Sequence, residues 1–168
     1  LFSRQRVVGR RGSNPYLRLG IVAHAMMELA ARGVFSDCSL EEAEARFEEE
    51  WERAIQSQED ERGDGEAHFG PLRHWHTYEL TRARTKLVAR GLATKMAARQ
   101  YLEEEFSSHK GKLRGRPDRL VEESGHLVVE DYKTGEIYEV DGADATQRLK
   151  PGYQRQMLMY AAIISEAL

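Results

Sequence analysis

Two short Val- and Leu-containing runs that meet at Ser124–Gly125 constrain this chain more than any other feature. The runs KLRGRPDRLVEES and GHLVVEDYKTG are punctuated by glycine and read as two strands joined by a tight turn. With Ser124 and Gly125 as the loop, Glu123 pairs with His126, Glu122 with Leu127, Leu120 with Val129 and Asp118 with Asp131. Opposed residues share a face, with Cβ atoms about 4.5–5.5 Å apart. Lys133 lies two residues beyond Asp131 and joins that face. An apolar floor of Leu127, Val129 and Leu120 thus leads to Asp118, Asp131 and Lys133, while the other face pairs Arg119 with Glu130 and Val121 with Val128.

Like charges directly opposed destabilise a sheet, so something must neutralise the two carboxylates. Lys133 alone could do so as a salt bridge. A hard divalent cation could do so as well, since Mg²⁺ commonly takes one or two carboxylates plus waters and substrate phosphate. Such an ion activates water and stabilises charge on a phosphodiester, and a lysine beside it orients the water or stabilises the transition state. Spacing alone leaves the two alternatives even.

The rest of the chain reads as mainly helical before Ser107 and strand-containing after it. A first helix is expected from about Leu19 to Arg32, with Gly33 as its stop. Ser39 caps a second, with Glu41 and Glu42 in its first turn, that runs to about Gln58 and buries Phe47, Trp51 and Ile55. After a polar loop, Pro71 begins a third helix to about Arg90, and a fourth covers roughly Ala93 to Glu105. EIYEV after Gly135 reads as a third strand, DGADATQRLKPG as a loop, and Tyr153 to Ala167 as a last helix. At 168 residues the chain fits a single domain, with 1–106 mainly helical and 107–168 carrying the hairpin and last helix. It begins at Leu1 rather than Met and ends inside an apolar run, which is expected of a piece of a longer chain.

Charge is segregated although the net value is only −3. Arg4, Arg6, Arg10, Arg11 and Arg18 open the chain, Glu41 to Glu66 is acidic, and bases outnumber acids from Arg73 to Arg119. A basic groove on an acidic protein is compatible with that pattern. The lone Cys38 excludes an internal disulfide framework and a four-cysteine iron–sulfur cluster or zinc site. No apolar run approaches the roughly 18 residues of a membrane span, and the basic N-terminus lacks a secretory apolar stretch, so a reducing, cytoplasmic setting is the default expectation.

GRPD, a hydrophobic hairpin and then EDYKTG together resemble the core motif of the PD-(D/E)XK nuclease superfamily. Within it the chain looks most like the RecB-type branch, which includes nuclease domains of bacterial recombination helicases and CRISPR-associated RecB-like exonucleases. Asp118, Asp131 and Lys133 match the two acids and the lysine. GIVAHAMMEL supplies Gly20 and His24 in the setting of the branch's metal-site histidine, and QMLMY supplies Gln156 and Tyr160 of its later helix motif. The resemblance spans about Gly20 to Tyr160. It implies an α/β, restriction-endonuclease-like core: a small mixed sheet flanked by helices, after a helical N-terminal half. It further implies Mg²⁺ or Mn²⁺ held by His24, Asp118, Asp131 and the backbone carbonyl of Tyr132, and hydrolysis of DNA phosphodiester bonds. Gln156 and Tyr160 are then expected to contact DNA or brace Lys133. Of Glu103, Glu104 and Glu105, Glu105 is the preferred match to a further glutamate of the site. The chain departs from the many relatives that hold an iron–sulfur cluster, and it carries no helicase motor, so unwinding would fall to another polypeptide, such as a helicase or a CRISPR or repair partner, or to sequence missing from this chain.

Other candidates carry plainer readings. His68, His74 and His76 are expected to be solvated or DNA-facing rather than zinc ligands. Trp75 and Tyr78 beside Arg73, Arg82, Arg84 and Lys86 could stack on a single strand, or could be buried aromatics under a solvated basic face. The functional expectation is a metal-dependent DNA exonuclease or structure-selective nuclease. The rivals are a non-catalytic nucleic-acid-binding scaffold and a subunit active only when a partner delivers DNA.

Overall fold

The computed structural model describes residues 14–60, 71–94, 99–108, 111–133, 135–141 and 146–168. Arg4, Arg6, Arg10, Arg11 and His68 lie outside them. Helix α1 spans Pro15–Ala31. It starts earlier than expected because the Asn14 side chain accepts from the Tyr16 N–H at 3.0 Å and Pro15 fits a first helical turn. Helix α2, Leu40–Asp60, opens with a reciprocal box: the Ser39 N–H donates to Glu42 at 2.8 Å, and the Glu42 N–H donates to the Ser39 hydroxyl at 3.2 Å. The expected third helix is split. A single 3₁₀ turn, Leu72–His74, precedes α3, Tyr78–Ala93, because Trp75 takes extended backbone between them.

Phe47, Trp51 and Ile55 are buried as their four-residue spacing predicts. They meet Val22, Met26 and Ala30 of α1 and Ala89 and Leu92 of α3 in one core. The Trp51 indole donates to the buried Tyr78 hydroxyl at 2.9 Å, which settles the tyrosine as core rather than a base-stacking group.

The expected fourth helix does not form over its described part. Gln100–Leu102 is strand β1 and Phe106–Ser107 is β2. Tertiary contacts override local helix propensity here. The Gln100 amide donates to the Ala31 carbonyl at 2.7 Å and accepts from Arg119 at 3.0 Å, and Tyr101 meets Phe106 edge-on. Strand β3 is Arg114–Gly115, β4 is Arg119–Glu123 and β5 is His126–Glu130. The β4–β5 register is the one the turn dictates, from Glu123 opposite His126 to Arg119 opposite Glu130. Ser124 and Gly125 both have positive φ, 51° and 78°, the signature of a type I′ turn.

The sheet order is β1-β4-β5, and β2 pairs with β3. Strand β6, Tyr138–Asp141, pairs with β7, Thr146–Leu149, so part of the expected loop is strand. Every ladder among the described residues is antiparallel; the parallel pairing that a mixed sheet needs does not occur among them. Helix α4, Pro151–Ala167, packs Ile163 and Ile164 on Phe106 and Leu120 in a second, smaller core. It comes close to β3: a Cβ on Gly115 would stand 2.9 Å from the Tyr160 ring, so glycine is required there. The whole is an α/β architecture with a helical N-terminal half and small antiparallel sheets, consistent with a restriction-endonuclease-like core. No helix among the described residues is long and apolar enough to cross a membrane.

Candidate metal centre

The hairpin's open end and α1 meet at one point. His24 lies on α1, and its Nδ1 stands 3.3 Å from Oδ1 of Asp118, the residue just before β4. The other Asp118 oxygen accepts from the Tyr132 backbone N–H, which anchors the carboxylate across the end of the hairpin. Glu103 joins them because β1 pairs with β4: Leu102 opposes Arg119, and the Glu103 N–H donates to the Asp118 carbonyl at 3.1 Å. Ligand atoms of His24, Glu103 and Asp118 lie within 4.8 Å of one another. Glu103 has a φ of 50°, a left-handed backbone that a non-glycine residue adopts at a cost of about 1–3 kcal/mol. One nitrogen and two carboxylate donors this close fit a divalent cation.

The three groups perturb one another's protonation. The hydrogen bond with Asp118 raises His24 above the ordinary imidazole value against the opposing effect of burial. Burial pushes Asp118 up, but the hydrogen bonds from His24 and the Tyr132 N–H outweigh it and hold the carboxyl below its ordinary value. Burial and then the Asp118 charge raise Glu103, with Arg116 opposing at 3.0 Å. Two acids thus crowd one small space, and one of them is held toward its neutral form.

Asp131 lines the same groove as Asp118. It stands outside the three-residue cluster, with its carboxylate engaged by Lys133 at 2.5 Å and by the Gln156 amide at 3.3 Å. The Gln156 amide also donates to the Tyr160 hydroxyl at 2.9 Å, and that hydroxyl donates to the Arg116 carbonyl at 3.1 Å. A relay therefore ties α4 to the chain just before Asp118 and to the acid that holds Lys133. The Tyr132 phenol points elsewhere, donating to Glu130 at 2.8 Å; burial first, and then that bond, raise it far above its ordinary value.

Glu105, the glutamate preferred from sequence, is exposed and paired with Arg114, while Glu103 reaches the cluster. The expected helix over this segment hid the distinction; read as a strand opposite β4, it puts Glu103 against Asp118. Arg116 and Tyr153 also border the groove without having been singled out. The expected basic surface around Arg73, Arg82 and Lys86 is instead engaged by Glu52, Glu48 and Glu44 of α2. Trp75 meets Tyr16 edge-on, and His74 and His76 are exposed and outside the cluster.

His24, Asp118, Asp131, Lys133, Gln156 and Tyr160 all line one groove of about 780 Å³. A family model described as the PD-(D/E)XK nuclease superfamily matches residues 2–168. Comparison with curated proteins and with solved structures yields no significant match. A hairpin ending in two acids and a lysine and a family match over nearly the whole length lead to one conclusion: the chain belongs to the PD-(D/E)XK nuclease superfamily, whose members are generally metal-dependent phosphodiesterases acting on nucleic acid.

Proposed function

We propose that the protein is a RecB-type DNA nuclease that hydrolyses phosphodiester bonds with Mg²⁺ or Mn²⁺. The observation that carries this reading is the convergence of residues from four separate segments, His24, Asp118, Asp131 with Lys133, and Gln156 with Tyr160, on one groove. His24, Glu103 and Asp118 supply the donor atoms for the cation, and the imidazole favours Mn²⁺ over Mg²⁺. When bound, a divalent cation supplies Lewis acidity toward a phosphoryl oxygen and eases deprotonation of water. Asp131 has a double part: it holds the Lys133 ammonium at the groove and is itself steadied by Gln156. Lys133 then donates to the phosphate as its charge grows, an interaction stronger in the transition state than in the ground state. Gln156 and Tyr160 are positioning residues that act through Asp131 and the Arg116 carbonyl.

Incubation of end-labelled single-stranded DNA with Mn²⁺, Mg²⁺ or EDTA tests the reading. Cleavage in metal, its loss in EDTA and its loss in Asp118→Ala and Lys133→Ala are expected. A band shift without products in any metal would mean a binding scaffold instead.

A further inference from the structure

The groove has two walls of different chemistry. On the α4 side the polar groups are already engaged: Gln156 with Asp131 and Tyr160, and Tyr160 with the Arg116 carbonyl. On the α1 side the wall from Tyr16 to Ile21, ahead of His24 and Glu28, is apolar and open. Tyr16, Leu17 and Ile21 are 48%, 52% and 47% exposed and line the groove directly. Leu17, Ile21 and His24 follow one another at i, i+4 and i+7, so this stripe runs along the helix face that carries the metal-site histidine. From Leu17 to His24 the helix rises about 10 Å, the length of about three nucleotides at ~3.4 Å each. Tyr16 is braced, its ring meeting Trp75 edge-on at 5.5 Å and His76 at 6.1 Å.

Charge argues for one strand rather than two. Surfaces that hold duplex backbones neutralise several phosphates with Lys and Arg. The one Arg or Lys on α1, Arg18, is buried, and its guanidinium donates to the Gln58 carbonyl. Among the described residues lining the groove, Arg116 and Lys133 are the only Arg or Lys, and both sit beside α4: the Arg116 carbonyl takes the Tyr160 hydroxyl, and the Lys133 ammonium lies 5.6 Å from the Tyr153 ring. Cations on one side and apolar side chains on the other match a single strand, which has one phosphate edge and one base edge.

We propose that Tyr16, Leu17 and Ile21 form a platform for the bases of single-stranded DNA entering the site, with its phosphates turned toward Arg116 and Lys133. This rests on the nuclease reading above and names the form of DNA that reading leaves open. The contact tolerates any sequence, because every base offers a flat apolar face.

The test measures anisotropy of fluorescein-labelled strands in Ca²⁺, with strand integrity checked on a gel. The probes are a short dT strand, an abasic strand of equal length and a duplex of equal length. The wild type should bind dT about tenfold more tightly than either other probe. Tyr16→Ala and Ile21→Ser should each weaken dT binding by roughly tenfold and leave abasic binding unchanged, while Tyr16→Phe keeps the wild-type affinity. Leu17→Ser serves as a further variant, because Leu17 makes no ring contact with Trp75, and unchanged melting temperatures show that the variants fold. Abasic or duplex binding as tight as dT, no dT binding at all, or folded variants that bind like the wild type would overturn the proposal. Mn²⁺-dependent cleavage by the same proteins separates the two claims. Base-dependent binding without cleavage removes the nuclease reading and keeps the platform, whereas cleavage without base dependence removes the platform alone.

Discussion

In the helical half, each acid of an open ladder faces only bases; at the end of the β4–β5 hairpin, two acids crowd each other as well as their basic partners. Along α2 and α3, Glu44 meets Lys86 and Arg90, Glu48 meets Arg82 and Lys86, and Glu52 meets Arg73 from the preceding turn. This ladder closes over a core that contains Trp51 and Ile55 with no measurable exposure. At the candidate metal centre Glu103 and Asp118 crowd together, Glu103 sits in left-handed backbone, and its carboxyl is raised by burial and by its neighbour's charge. The core beneath is small, resting on Phe106, Leu120, Ile163 and Ile164. The contrast teaches that the first region is arranged for stability and the second tolerates repulsion that a cation would relieve. His24 belongs to the first region and Asp118 to the second, so the stable half holds one side of the strained site.

The contrast can be broken from either end. The largest effect is expected at the acids: Asp118→Asn should lower Mn²⁺-dependent cleavage by about a thousandfold while the melting temperature stays level or rises. A large fall in melting temperature would make Asp118 a structural residue. Trp51→Ala should do the reverse, removing about 3–5 kcal/mol in urea unfolding while the folded fraction still binds Mn²⁺. Gly115→Ala lies between the two. The added methyl drives α4 off β3, so about 1–3 kcal/mol of stability should go together with turnover, because Gln156 and Tyr160 ride on that helix.

The smallest effect is expected in the ladder. Burial pushes the Glu48 carboxyl up, but hydrogen bonds from Arg82 and Lys86 outweigh it and leave it below the ordinary value. A group lowered in the folded state contributes stability above its unfolded pKa and loses it as pH falls through the folded one. Glu48→Gln should therefore be less stable than wild type near neutrality by under about 1 kcal/mol, and the two should converge in acid. Paired denaturation curves across that range check the sign.

Much of the fold was legible because it is local. The hairpin register follows from one two-residue turn, and the box at Ser39 and Glu42 and the stripe of Phe47, Trp51 and Ile55 follow from spacing within one helix. The misreadings arose where distant contacts decide. Gln100 becomes strand because the end of α1 and Arg119 engage its amide, and Trp75 interrupts the expected helix from Pro71 where it packs against Tyr16. At the site, the hairpin alone led to the expectation that Asp118, Asp131 and Lys133 share a face, and all three line the groove, whereas His24 entered only through resemblance. Glu103 could not be told from Glu105 without knowing that β1 pairs with β4.

The central claim is that a residue of each half grips the same cation, and calorimetric titration with Mn²⁺ tests it most directly. The account predicts measurable binding by the wild type that weakens at least about tenfold in both His24→Ala and Asp118→Asn. Mn²⁺ bound equally well by all three proteins, or by none, would contradict it.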